Sequence, residues 1–315
     1  MRRSTCNQVR GKPTWKAALS GYCSAFSRGI SLTINSPALQ GPNLMAGNVV
    51  MVKNLLISHD QVDRVIDDGR IMGVALTGSV EAGKLVAARA GRNLKKSTME
   101  LGASDAFIVL EDADLDKTVQ WAVWAKMNNT GQCCVAAKRF IVAEELADRF
   151  LEKFQKALEA LQAGDPMEKA TTLGPLSTEA ALVQLLGQVT GAVSHGATLV
   201  MGGKRIDRPG SFMQPTILTD IKPSNPAFRE EFFGPAALLF RVKGEDEAVA
   251  LANDSDFGLG GSVFTKDIAR GKRVASRIDT GMVFIHQGSR VTLKSRSRHV
   301  NVIECSVGVS LVRIP

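Results

Sequence analysis

The chain has 315 residues, 44% of them hydrophobic, and a formal net charge of +8. That length supports about two domains and a sizeable core, the apolar content excludes bulk disorder, and no apolar run approaches the roughly 18 residues of a membrane span, so no membrane partner is expected. The charge is uneven: residues 1–59 hold seven Lys/Arg and no acid, residues 287–315 hold five against Glu304, and the body between them is slightly acidic. Basic ends can meet nucleic acid. Here no aromatic residues interleave the basic ones in the tail and no nucleic-acid motif occurs, so no such partner is expected either.

The pattern strengthens at about residue 70. "IMGVALTG" reads as a short buried strand ending at Gly78, and "GSVEAGKLVAARAGRNLKK" turns and becomes a helix. "STMELG" and "DAFIVLE" read as strands, "DADLDKTVQWAVWAKM" as a helix with an acidic start, and "AKRFIVA" as a strand. Residues 144–162 form an amphipathic helix with Leu146, Phe150, Phe154, Leu158 and Leu161 on one face, stopped by "GDP" at 164–166. A helix at 177–192 and the strand "ATLVMGG" follow. Then come "FMQPTILTDI", the strand "AALLFRV", the helix "EDEAVALAND", the strand "GSVFT", a helix at 267–278 and the strand "GMVFIH". Strands alternating with helices predict an α/β fold with a largely parallel sheet. No internal repeat is visible.

Residues 1–30 are Arg- and Ser-rich, acid-free and without periodicity. That composition fits an organellar transit peptide and equally an altered gene start; the expected location is cytoplasmic, or mitochondrial if the segment is a transit peptide. After His286 the order dissolves, and the tail reads as a shifted reading frame or alternative exon.

Five cysteines, at 6, 23, 133, 134 and 305, form no disulfide framework and point to a reducing compartment. The four histidines, at 59, 195, 286 and 299, are too scattered to complete a zinc site, so no metal is expected. Three stretches can carry chemistry. In "TGSVEAG" (77–83) a strand-to-helix turn with Gly78 and Ser79 can cradle a phosphate, although such turns also occur with nothing bound. In "MELGAS" (99–104) Glu100 is either a general base or a strand-end carboxylate. In "NNTGQCCVAAKR" (128–139) Cys133 and Cys134 are either core filler or include a nucleophile.

Together these stretches resemble the aldehyde dehydrogenase superfamily, whose Glu-Leu-Gly-Gly and Gly-Gln-x-Cys motifs match "MELGAS" and "TGQCC". The likeness extends to "EEFFGP" (230–235), "NDSDFGLGGSVFT" and "TGMVFI", covers roughly residues 70–286, and is nearest in wording to the succinate-semialdehyde branch. The resemblance implies an incomplete Rossmann-type cofactor domain (31–101), a catalytic α/β domain (102–286), an atypical basic segment (1–30) and an atypical basic tail (287–315). It implies NAD(P)-dependent oxidation of a small aldehyde, such as succinate semialdehyde, to the acid. Cys134 would be the nucleophile, Glu100 the base that activates water, and Asn35 part of the oxyanion hole. NAD or NADP would be held by Lys53, Gly78, Ser79, Glu231 and Phe233. Arg139 could meet a semialdehyde carboxylate, or be plain solvated surface.

The chain also departs from the family. Ala103 replaces the second glycine after Glu-Leu, where a Cβ could displace Glu100. "TINSPALQ" keeps only Asn35, Pro37 and Gln40 of the oxyanion stretch, and after Lys53 the chain jumps to "NLLISHDQVDRV", without the strand–helix unit that would separate NAD from NADP. The C-terminal Pro-Phe-Gly-Gly and the dimerising strand are not found, which leaves oligomerisation open. His286 stands where the family usually has Asn. The alternative function is a catalytically dead remnant or a partner-binding fragment.

Overall fold

A computed structural model describes residues 17–21, 49–52 and 58–289. The first of its two sheets joins β1 (Ala17–Gly21), β2 (Val49–Val52), β3 (Ile71–Thr77) and β4 (Lys96–Glu100) in the order β2-β1-β3-β4, all parallel. Helices α1 (His59–Asp67) and α2 (Val80–Arg92) accompany it. Ser58 caps α1 in a reciprocal box with Gln61, and the Ser79 hydroxyl accepts the Ala82 N–H at the start of α2. Val62 and Ile66 of α1 pack on Ile71, Val74 and Ala90.

No element was expected in residues 1–30, yet β1 lies there, between β2 and β3. Its residues, "AALSG", include no β-branched or aromatic side chain, so the sequence carries no strand signal there.

The second sheet is larger. It contains β5 (Asp105–Val109), β6 (Ala137–Ala143), β7 (Thr198–Met201), β8 (Thr216–Thr219), β9 (Ala236–Val242), β10 (Gly260–Phe264) and β11 (Met282–Ile285), ordered β11-β10-β5-β6-β9-β8-β7. Every neighbouring pair is parallel except β7 with β8. Strands β5, β6 and β10 are buried along their whole length, as expected of parallel strands covered on both faces.

Side chains alternate between the two faces. Phe107, Val109, Phe140 and Val142 meet α3 (Leu115–Met127) and α4 (Glu144–Glu159). Ile108, Ile141 and Val263 meet α6 (Glu245–Asn253) and α7 (Ile268–Ala275) on the opposite face. Helix α5 (Glu179–Ser194) closes a third cluster over β8 and β9. Phe140 lies 5.1 Å from Phe107 and 5.0 Å from Phe154 between ring centroids. Each such buried ring contributes about 1.5–3 kcal/mol of transfer free energy.

The predicted face of α4 is observed, with Leu146, Phe150, Phe154 and Leu158 buried and Leu161 packed against the same cluster. The helix stops at Glu159, before the "GDP" expected to end it, because the chain there turns into a bridge between Ala163 and Leu173. Among the described residues no helix is long and apolar enough to cross a membrane. The small sheet ends at β4 and the large one begins at β5, so only Leu101–Ser104 separate them.

Candidate active site

The chemistry-bearing residues gather around that four-residue passage. Glu100, half-buried at the end of β4, pairs in register with Thr77, and its carbonyl accepts the Gly78 N–H at 2.9 Å. The Gly78–Ser79 turn is thereby fixed beside Glu100. A cleft of about 500 Å³ opens between α1 and α2, lined by Val62, Ser79, Ala82, Leu85 and Val86 with His59 and Arg92 at its walls. Arg89 is held by Asp63 at 3.0 Å and by Asp67, which ties the two helices together.

Beyond Glu100 the chain meets "EEFFGP". A Cβ on Gly102 would stand 2.4 Å from Glu231 Oε2, so the missing side chain makes room for that carboxylate. The Ala103 N–H donates to Glu231 Oε1 at 3.1 Å. Ala103 is fully buried and its φ is not positive, so the strain expected from replacing glycine does not arise. Ala103 packs in one cluster with Val135, Leu259, Met282 and Phe284, against which Cys133 and Cys134 also lie.

The cysteine loop is strained and heavily braced. After α3 ends, Asn129, Thr130 and Gly131 adopt φ of 54°, 56° and 74° in succession. A β-branched residue such as Thr130 is rarely found there and persists only when its surroundings hold it. The bracing is visible. Thr130 Oγ1 donates to the Gly174 carbonyl at 3.2 Å, Asn129 Nδ2 to the Gln132 carbonyl at 3.0 Å, and Gln132 Nε2 to the Pro175 carbonyl at 3.3 Å. Gln132 Oε1 accepts the Ser177 N–H at 2.8 Å. A Cβ on Gly131 would fall 2.2 Å from the Gly234 carbonyl oxygen, so this glycine lets the cysteine loop press against "EEFFGP".

Both thiols are partly exposed. The S–H of one supports a thiolate on the other, and the positive charge of Lys138 adds to that support against the cost of burial. The pair therefore releases its first proton below the ordinary thiol range and holds its second above it. The shared thiolate belongs to both sulfurs. Its lower-pKa side falls on Cys133, whereas the resemblance of "TGQCC" to Gly-Gln-x-Cys makes Cys134 the expected nucleophile.

Three further residues of the site carry little or ambiguous signal in the sequence. Lys138 is completely buried, and its Nζ donates to the carbonyls of Cys133 at 2.8 Å and Cys134 at 2.7 Å. Its signal was a lysine, next to Arg139, inside a strand whose remaining residues are apolar, where charge is rarely buried without a partner. Asp105 is also buried, accepts the Gly260 N–H at 3.1 Å, and is pushed up to about 6, chiefly by desolvation, with Lys138 pulling the other way. Arg139 is neither solvated surface nor free for a substrate carboxylate. It is buried, and its guanidinium donates to the carbonyls of Ser104 at 2.9 Å, Leu251 at 2.8 Å and Ala252 at 2.9 Å.

Of the residues expected to form the site, Gly78, Ser79 and Glu100 meet at one edge. Cys134, Glu231 and Phe233 meet around Lys138, whose Nζ lies 3.6 Å from Glu231 Oε1 and 5.9 Å from the Phe233 ring centre. Asn35 and Lys53 lie outside the described residues. His286 adopts a φ of 60°, a conformation that Asn and His tolerate better than most residues, and its ring contacts the Thr265 carbonyl.

Comparison with known proteins gives consistent matches. Residues 41–297 match the aldehyde dehydrogenase family. The chain is 46% identical over 272 residues to a succinate-semialdehyde dehydrogenase [NADP(+)] from Deinococcus radiodurans, covering 78% of this chain and 57% of that protein. Among solved structures, Gox0499 superposes with a TM-score of 0.82 at 46% identity, over 87% of this chain and 65% of the other. The succinic semialdehyde dehydrogenase of Streptococcus pyogenes, solved with NADP+ as the cofactor, gives 0.76 at 39% identity, over 87% and 65%. The chain thus spans somewhat more than half the length of the curated relative.

Proposed function

The chain belongs to the aldehyde dehydrogenase family, and from that premise we propose that its site oxidises a small aldehyde of the succinate-semialdehyde type to the carboxylic acid, with NADP as cofactor. The observation that carries the reading is the convergence of the paired thiols, Glu231 and the Glu100–Ala103 passage within one hydrogen-bonded assembly. Of the relatives named above, the Deinococcus radiodurans protein is NADP-dependent by name and the Streptococcus pyogenes protein was solved with NADP+.

The residues present fit such a cofactor. The cleft between α1 and α2 has the size of a small-ligand site, an apolar wall in Ala82, Leu85 and Val86, and the α2 N-terminus with Ser79 at its end. The adenosine end would lie there, the Gly78–Ser79 turn would face the pyrophosphate, and Glu231 and Phe233 would face the nicotinamide end. When bound, the cofactor supplies the hydride acceptor.

The protein's own residues perform the rest. The Cys134 thiolate attacks the aldehyde carbon to give a thiohemiacetal, and loss of hydride leaves a thioester on its sulfur. Glu100 takes a proton from water, which attacks the thioester carbonyl and releases the acid and the thiolate. Asn35 would stabilise the thiohemiacetal oxygen.

The test is a fluorescence titration of the purified chain with NADPH and with NADH, repeated on Cys134→Ala. Saturable binding to both proteins, with aldehyde turnover by the wild type alone, is the expected result. A folded chain that binds neither nucleotide would overturn the reading and leave the non-catalytic alternative.

A further inference from the structure

Lys138 has no part in the chemistry above, yet it is fully enclosed within the site. It is 0% exposed, in a strand whose every other residue is also buried. Three acceptors face its ammonium: the Cys133 carbonyl at 2.8 Å, the Cys134 carbonyl at 2.7 Å, and Glu231 Oε1 at 3.6 Å. Those acceptors come from two loops distant in sequence, the cysteine loop and "EEFFGP". The two carbonyls alone would need only a neutral donor. A full positive charge in such a place is costly, and its loose distance to Glu231 makes that pair a weak reason for keeping it.

The other charges around it define its role. Lys126 is also fully buried, with Nζ 3.2 Å from the Phe232 carbonyl, and burial reinforced by repulsion from Lys138 drives it toward the neutral amine. Asp105, pushed up to about 6 by burial, is ionised above neutral pH, where its negative charge opposes a thiolate on either cysteine and Lys138 acts against it. Arg139 is committed to three carbonyls on the far side of β6. Lys138 is thus the cation in direct hydrogen-bond contact with the backbone that carries both thiols.

We infer that Lys138 is a positioning residue for the nucleophile: its ammonium holds the Cys133 and Cys134 carbonyls and supplies the positive charge that keeps one of the two thiols ionised. The inference rests on the proposed thiol chemistry for its consequence, but its test needs neither cofactor nor turnover. A purely structural lysine would fix the loop without influencing when the thiols ionise.

The experiment follows iodoacetamide alkylation of the peptide containing residues 133 and 134 by mass spectrometry, as a function of pH. The wild-type chain is compared with Lys138→Met, Lys138→Gln and Lys138→Arg, each checked for folding by circular dichroism. In the wild type the reaction midpoint should lie below the free-thiol value of about 8.5. Loss of the charge should raise it in the Met variant. Gln keeps a donor for the carbonyls but no charge, and should shift the midpoint like Met. Arg should retain the wild-type midpoint.

A wild-type midpoint at the free-thiol value overturns the inference. So does a folded Gln variant that alkylates like the wild type, since a neutral donor would then suffice. If the Met and Gln variants do not fold, the Arg variant decides: a retained midpoint supports the inference and a raised one overturns it. Failure of nucleotide binding, by contrast, would strike the proposed activity and leave these midpoints unchanged.

Discussion

Asp105→Asn should stabilise the protein above neutral pH and leave it nearly unchanged in acid. The carboxyl is 2% exposed, and its pKa is raised from 3.8 to about 6, mainly by desolvation and despite attraction from Lys138. Because the folded value lies above the unfolded one, the folded state binds the proton more tightly. Stability is therefore fully present below about pH 4 and is lost as the pH rises through about 6. A rise of about two pH units corresponds to about 3 kcal/mol at 1.36 kcal/mol per unit, the cost of holding a buried carboxylate ionised. Asparagine presents the same Oδ1 to the Gly260 N–H, which donates to Asp105 at 3.1 Å, but has no charge to desolvate. Urea denaturation of both proteins at pH 4.5 and pH 8 measures the difference. The variant's advantage should grow by about 2–3 kcal/mol between the two pH values. A variant destabilised at pH 8 would mean that the ionised carboxylate is a net favourable partner of Lys138 and Arg139, and would refute the reasoning.

Arg139→Met should destabilise the fold by about 3 kcal/mol, because two buried carbonyls and one part-buried carbonyl lose their donor and each costs about 1 kcal/mol or more when unmet; thermal melting checks it, and a loss under about 1 kcal/mol would show that other donors replace the guanidinium. Leu85→Asp should barely move the melting temperature, since Leu85 is 73% exposed, while weakening NADPH binding at least tenfold by placing a charge on the apolar wall of the cleft. Unchanged affinity in that variant would remove the cleft from the proposed cofactor site.

The sequence alone determined the α/β alternation, because the signals are local. Apolar runs such as "DAFIVLE" and "AKRFIVA" have the length and composition of doubly covered strands, and the 3.6-residue period of α4 is complete within its own span. It also carried the family resemblance in "TGQCC" and "EEFFGP" that implied which motifs belong together. Tertiary structure alone decided how they meet. That Gly102 yields its space to a carboxylate 129 residues away, and that Lys138 joins the cysteine loop to the same carboxylate, are contacts between segments with no local pattern in common. The same reason hid β1, whose pairing depends entirely on its neighbours. It also hid the fate of Arg139: sequence shows a basic residue beside a strand, but only packing on both faces of the sheet decides that its charge is buried and bound to carbonyls.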